Sequence, residues 1–196
     1  MGVPTDRQAP AEGLAVTPHA AEDLTLAAVL SAVRFSRTFV HHILRQWGLP
    51  SLAEDSELVI SELVTNAVQA TGVTEAKPRW SQLAGLATIH VRLLLFERSV
   101  VLAVWDRNPA APVLKDAGMD SENGRGLPIV AALCERWDYL PVKDGKCVWA
   151  ELAVQPDALA SAGLPRRTPG SPATLAPEPN TDLELLRRVH QALKDL

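Results

Sequence analysis

Apolar residues at Leu26, Val29, Leu30, Val33, Phe39, Val40, Ile43, Leu44 and Trp47 recur near the 3.6-residue period and predict a helix over 23–47. Gly48 and Pro50 end it, because glycine accepts the left-handed cap and proline cannot continue the ladder. Arg34, Arg37 and Arg45 fall on its remaining faces as solvated surface. A second helical stretch covers 51–70, with Ser51 and Glu54 spaced as a capping box. The period then changes. "LATIHVRLLLFE" and "SVVLAVWD" are rich in β-branched and apolar residues and predict two strands joined at Arg98-Ser99 as an antiparallel hairpin. Pro109 and Pro112 open a loop that runs to Gly126, and "LPIVAALCER" predicts a short helix over 127–136. A last hairpin is expected from "RWDYLPV", a turn at Asp144-Gly145, and "KCVWAELAV".

The flanks lack this pattern. Residues 1–22 are rich in Ala and Pro with little periodicity and read as a flexible arm, ahead of a domain over 23–155. Residues 156–180 form a Pro/Ala-rich linker with six prolines between Pro156 and Pro179, a composition that builds a semi-stiff spacer and no core. At 181–196, Leu183, Leu186, Val189, Leu193 and Leu196 make an apolar stripe behind a Thr181/Glu184 capping box. A helix this short is marginal alone in water, so it is expected to dock, back on its own domain, on a partner or over the loop before Gly126. Helix, helix, strands, loop, helix, hairpin is the order of an α+β sandwich, with helices on one face of a mixed sheet.

Composition narrows the function classes. A chain of 196 residues with 47% hydrophobic and 21% charged residues can bury one proper core. Its formal net charge of −4 lacks the basic footprint of a nucleic-acid binder, so no direct nucleic-acid partner is expected. Two cysteines, Cys134 and Cys147, make no disulfide framework and fit a reducing cytoplasm. The start, MGVPTDRQAP, does not read as a signal peptide, and every apolar run is broken before it could span a bilayer.

Three stretches carry candidate chemistry. In "SELVTNAVQATG", Glu62 and Asn66 stand one helical turn apart, so a carboxylate and an amide project side by side. Alone, that spacing is the polar stripe of an ordinary helix. Read chemically, Asn66 offers an amide oxygen to Mg²⁺, a hard cation that keeps waters and leans on substrate phosphates, and Glu62 polarises an attacking hydroxyl or water. In "VWDRNPAAP", Asp106 ends an apolar strand and can accept a hydrogen bond from an exocyclic amine, while Asn108 tolerates positive φ and lets the chain turn. The plain alternative is an Asp-Asn-Pro turn that ends a strand. In "SENGRGLPIV", Gly124 and Gly126 flank Arg125 ahead of a helix, where bare backbone and free N–H groups favour phosphates. No Gly-Lys-Ser/Thr follows, so this is not a P-loop.

Taken in order, "SELVTNAVQATG", "VWDRNPAAP", "NGRGLPIVAAL" and "GKCVWAEL" resemble the N box and the three glycine boxes of the GHKL ATP-binding domains, the fold shared by gyrase, Hsp90, histidine kinases and MutL. "VRFSRTFVHHILRQWGL" resembles their leading helix, and the likeness covers about residues 24–154. Within the family the chain looks most like the anti-sigma-factor serine kinases and the small regulatory ATP-binding proteins of actinobacteria. The resemblance implies a two-layer Bergerat-type sandwich with a mixed, mainly antiparallel sheet, and ATP and Mg²⁺ as cofactors. It implies Asn66 as the metal ligand, Glu62 as the general base, and Asp106 as the adenine reader with Asn108 beside it. Gly124, Arg125, Gly126 and Leu127 would close around the nucleotide, Ala70 would line it, and 110–123 would be a mobile lid. Cys147 stands where the family places a Thr that steadies the adenine-binding Asp, which predicts weaker adenine binding.

The function so implied is transfer of the γ-phosphoryl of ATP to a Ser or Thr of a protein antagonist, in control of a sigma factor or another transcription regulator. The alternative is a docking module that holds ATP or nothing and inhibits its target without catalysis. A homodimer fits the resemblance, and no membrane partner is expected.

Overall fold

The structure, a computed structural model, describes residues 18–75, 79, 84–112 and 126–154. Among these residues five strands form one sheet: β1 (Ala20–Ala27), β2 (Thr88–Leu95), β3 (Ser99–Asp106), β4 (Arg136–Val142) and β5 (Gly145–Ala153). Their order across the sheet is β1-β2-β3-β5-β4. Every strand pairing is antiparallel, and the one parallel contact among the described residues is an isolated bridge between Val29 and Val73. The sheet expected as mixed and mainly antiparallel is antiparallel at all four strand pairings among the described residues. Among the described residues three α-helices, α1 (Ser31–Gln46), α2 (Ala53–Thr71) and α3 (Gly126–Leu133), complete an α+β sandwich.

α2 lies against the sheet because its apolar residues share a face. Ala53, Val59, Ile60, Leu63, Val64, Ala67 and Val68 are buried at one-, three- and four-residue spacings along one side of the helix. They meet Ile89, Val91 and Leu93 of β2, Val100, Leu102 and Val104 of β3, and Val148, Ala150 and Leu152 of β5 in one core. Alternation along the pleat puts every second residue of each strand on that face. Burying each Val, Leu or Ile is worth about 1.5–3 kcal/mol. At the surface, Glu57 of α2 holds Arg37 (3.3 Å) and His41 (2.7 Å) of α1, and exposed pairs of this kind give only ~0–1 kcal/mol each. Packing, not charge, therefore holds α1 and α2 in place.

Several expected boundaries move. The helix predicted over 23–47 begins at Ser31, and Ala20–Ala27 is the edge strand β1, which takes the last three residues of the supposed arm, 20–22. In β1, Leu24 and Leu26 alternate inward with period two, while Asp23 is held by Arg92 of β2 through two hydrogen bonds. The stop at Gly48 is as expected: its φ is 72°, its N–H reaches the Arg45 carbonyl, and the Leu49 N–H reaches that of Leu44. This is the Schellman pair of bonds. Ser51 instead lies in a 3₁₀ turn (Pro50–Leu52), and α2 opens at Ala53 with no side-chain cap, so the Ser51/Glu54 capping box does not form. α3 ends at Leu133, three residues short of its expected end, because Arg136 already pairs with Glu151 in the β4–β5 ladder. The arm up to residue 17, the linker and the 181–196 stripe lie outside the described residues.

Candidate functional site

α2, β3, β5 and α3 converge on a cavity of about 280 Å³. Apolar side chains of Leu63, Ala67, Ala70, Val104, Leu127 and Val148 wall it, and Asn66, Asp106, Asn108 and Lys146 bring polar groups to it. An apolar slot with a few convergent polar groups is the form of a small-molecule site.

The polar end is built by the β3–β5 register. Asp106, the last residue of β3, lies directly opposite Lys146 of β5. Both side chains are almost fully buried, at 2% and 6% exposure. The Lys146 Nζ donates to Asp106 Oδ1 (3.0 Å) and to the Asn108 carbonyl (2.9 Å), and the Asn108 N–H donates to the same Oδ1 (2.8 Å). Oδ1 thus accepts two bonds, and among the described residues Oδ2 accepts none. That oxygen is free to take a hydrogen bond from a ligand donor. A buried ion pair with its hydrogen bonds satisfied holds together, whereas removing one partner costs about 3–5 kcal/mol. Gly145 makes the geometry possible: its φ is 156°, and a Cβ there would come within 1.9 Å of the Asp106 carbonyl oxygen.

Two expectations change here. Cys147 does not face the cavity. It sits opposite Trp105, on the sheet face away from the helices, and burial pushes its thiol up to about 12. The side chain beside Asp106 is Lys146, which sequence reading passed over; the strand's period of two, counted from the core residue Val148, would have found it. Asn108 does not adopt positive φ, since no non-glycine described residue does. The turn is made by side chains: Asp106 caps the Asn108 N–H, and Asn108 Oδ1 caps the Ala110 N–H (2.9 Å).

Asn66 and Ala70 line the cavity from α2. Glu62 is not among the lining residues. It stands one turn earlier on α2 and abuts the start of α3, where a Cβ on Gly126 would lie 2.4 Å from its Oε2. Burial raises its carboxyl above the ordinary range, the direction that suits proton acceptance near neutral pH. Among the described residues no cluster of three or more His, Cys, Asp or Glu could hold a metal. Asn66 offers one neutral oxygen, which fits a Mg²⁺ held mainly by waters and ligand phosphates. Gly124, Arg125 and residues 113–123 of the expected lid lie outside the described residues; Ala110, Ala111 and Pro112 line the cavity. No described helix is long and apolar enough to cross a membrane.

The family model described as "Histidine kinase-like ATPase domain" matches residues 26–152. Among solved structures, the catalytic domain of histidine kinase ThkA, in a nucleotide-free form, matches at 17% identity with a TM-score of 0.36, over 70% of this chain and 99% of that one. No curated protein matches the chain.

Proposed function

This chain belongs to the histidine kinase-like ATPase family, and on that premise we propose that it binds Mg·ATP and passes the γ-phosphoryl group to a serine or threonine hydroxyl of a regulatory protein. The observation that carries the reading is the cavity itself, where Asn66 from the helix and the buried Asp106 from the strand end meet across an apolar slot. Adenine fills the slot, with its amine on Asp106 Oδ2. Asn66 would hold Mg²⁺, which when bound supplies charge neutralisation on the phosphates. Phosphoryl transfer is mostly positioning and charge stabilisation. The hydroxyl oxygen bonds to the γ-phosphorus as the bond to the bridging oxygen breaks, ADP leaves, and Glu62 takes the hydroxyl proton.

The motif order that resembles anti-sigma-factor serine kinases favours a protein acceptor of the antagonist kind, and through it control of a sigma factor or similar regulator, in the cytoplasm. A weak adenine partner at Cys147 would favour the docking-only alternative, and Cys147 lies on the sheet face away from the cavity. Calorimetric titration of ATP with and without Mg²⁺, beside Asn66→Ala, tests the reading. Mg²⁺-dependent binding that Asn66→Ala loses supports it; absence of ATP binding in both conditions removes it.

A further inference from the structure

The Lys146–Asp106 pair has a consequence for which base the cavity accepts. An ammonium carries three N–H donors. In Lys146 two are taken, by Asp106 Oδ1 and the Asn108 carbonyl. The third has no partner among the described residues, on a group that lines the cavity. Next to it stands Asp106 Oδ2, an acceptor with no partner among the described residues. The polar end of the slot therefore presents one donor and one acceptor side by side, both on side chains more than nine-tenths buried and locked to each other.

A purine edge can answer that pattern. Adenine shows a 6-amino donor beside the N1 acceptor; guanine shows an O6 acceptor beside an N1–H donor, the same two features exchanged. With Asp106 Oδ2 on the 6-amino group, N1 falls on the lysine side. We propose that Lys146 is an adenine-specificity residue that donates directly to ring N1 while Asp106 accepts from the 6-amino group, an inference that rests on the nucleotide reading above. Guanine in the same pose would set O6 against the carboxylate and N1–H against the ammonium, two repulsions in a buried site. Such mismatches leave buried polar groups unpaired and discriminate strongly.

The test compares ATP, 1-deaza-ATP (which keeps the amine and lacks the N1 acceptor) and GTP by calorimetry on the full wild-type chain with Mg²⁺. A hydrogen bond from a charged donor is worth about 1.5–3 kcal/mol, so 1-deaza-ATP is expected to bind roughly tenfold or more weakly than ATP, and GTP more weakly still. Equal affinity for ATP and 1-deaza-ATP, or for ATP and GTP, overturns the role of Lys146 and leaves the nucleotide reading standing. Failure to bind ATP at all overturns both. Lys146→Met, checked for folding by circular dichroism, closes the argument: the gap between ATP and 1-deaza-ATP should vanish, and its persistence would assign N1 to another group. Because that variant strips Asp106 of its counter-charge, the wild-type comparison decides if it fails to fold.

Discussion

Glu62 is a carboxylate whose proton affinity is set by burial. Because the charged form is the one penalised, the folded protein carries a cost above the unfolded pKa that is absent below it. Glu62→Gln is therefore expected to be more stable than wild type at neutral pH. The advantage should shrink to nothing as pH falls below about 4, near the ordinary glutamate value; denaturant unfolding at a series of pH values measures this. The same substitution should abolish phosphoryl transfer while leaving ATP affinity within about threefold. If Glu62 is the base, the acid limb of the wild-type rate profile lies above the usual carboxylate range. Gly126 acts on the same carboxylate. A methyl group there meets Oε2 at 2.4 Å and Cδ at 3.3 Å, and both atoms sit at the end of a flexible side chain. Gly126→Ala should therefore cost little stability yet displace Glu62, lowering kcat roughly tenfold or more with a smaller change in ATP affinity. An unchanged kcat would show that Glu62 does not need its place against α3.

Within β5 the pleat decides which residues can reach the site. Lys146 and Val148 face the cavity, and Cys147 and Trp149 face away. Cys147→Thr should leave nucleotide affinity within about twofold by calorimetry, and a larger change would mean that the register of β5 on β3 is not the one described. Gly145→Ala should do the opposite: its Cβ would fall on the Asp106 carbonyl, so both stability and nucleotide affinity are expected to drop, the former by at least about 1–3 kcal/mol in chemical unfolding. These elements also explain what the chain discloses in advance. α2, β2, β3 and the β4–β5 hairpin were legible because long apolar patterns of period 3.6 or 2 leave little choice. β1 was not. It is an edge strand with only Ala20, Leu24 and Leu26 turned inward, each half-buried, and Leu26, Val29, Leu30 and Val33 continue it at helical spacing by coincidence. The Ser51 cap failed because Pro50 directs the chain into a 3₁₀ turn first. In the site, Asn66, Asp106 and Asn108 could be placed from local motifs. The period of two puts Lys146 on the face of Val148, but its pairing with Asp106, 40 residues away, rests on a cross-strand register that no local pattern encodes.

At the scale of the whole molecule, the cavity exists only in the folded chain. Its walls come from α2, β3, α3 and β5, so unfolding separates Asn66, Asp106 and Lys146 completely. A ligand that binds this arrangement and not the unfolded chain stabilises it by RT ln(1 + [L]/Kd), about 2.7 kcal/mol at a hundredfold excess over Kd. For a domain of this size each kcal/mol moves Tm by roughly 2–4 °C. Saturating Mg·ATP should thus raise Tm by on the order of 5–10 °C, a shift read directly by differential scanning calorimetry. Asn66→Ala should lose the part of that shift that depends on Mg²⁺ and keep the part that ATP gives alone, because the adenine end of the slot is untouched. The two functional readings part at this point. A kinase shows the shift and consumes ATP when its acceptor protein is added; a docking module that ignores nucleotide shows no shift at any concentration. Absence of a shift would leave the sandwich as a binding scaffold, with the buried Lys146–Asp106 pair serving only to fix the ends of β3 and β5.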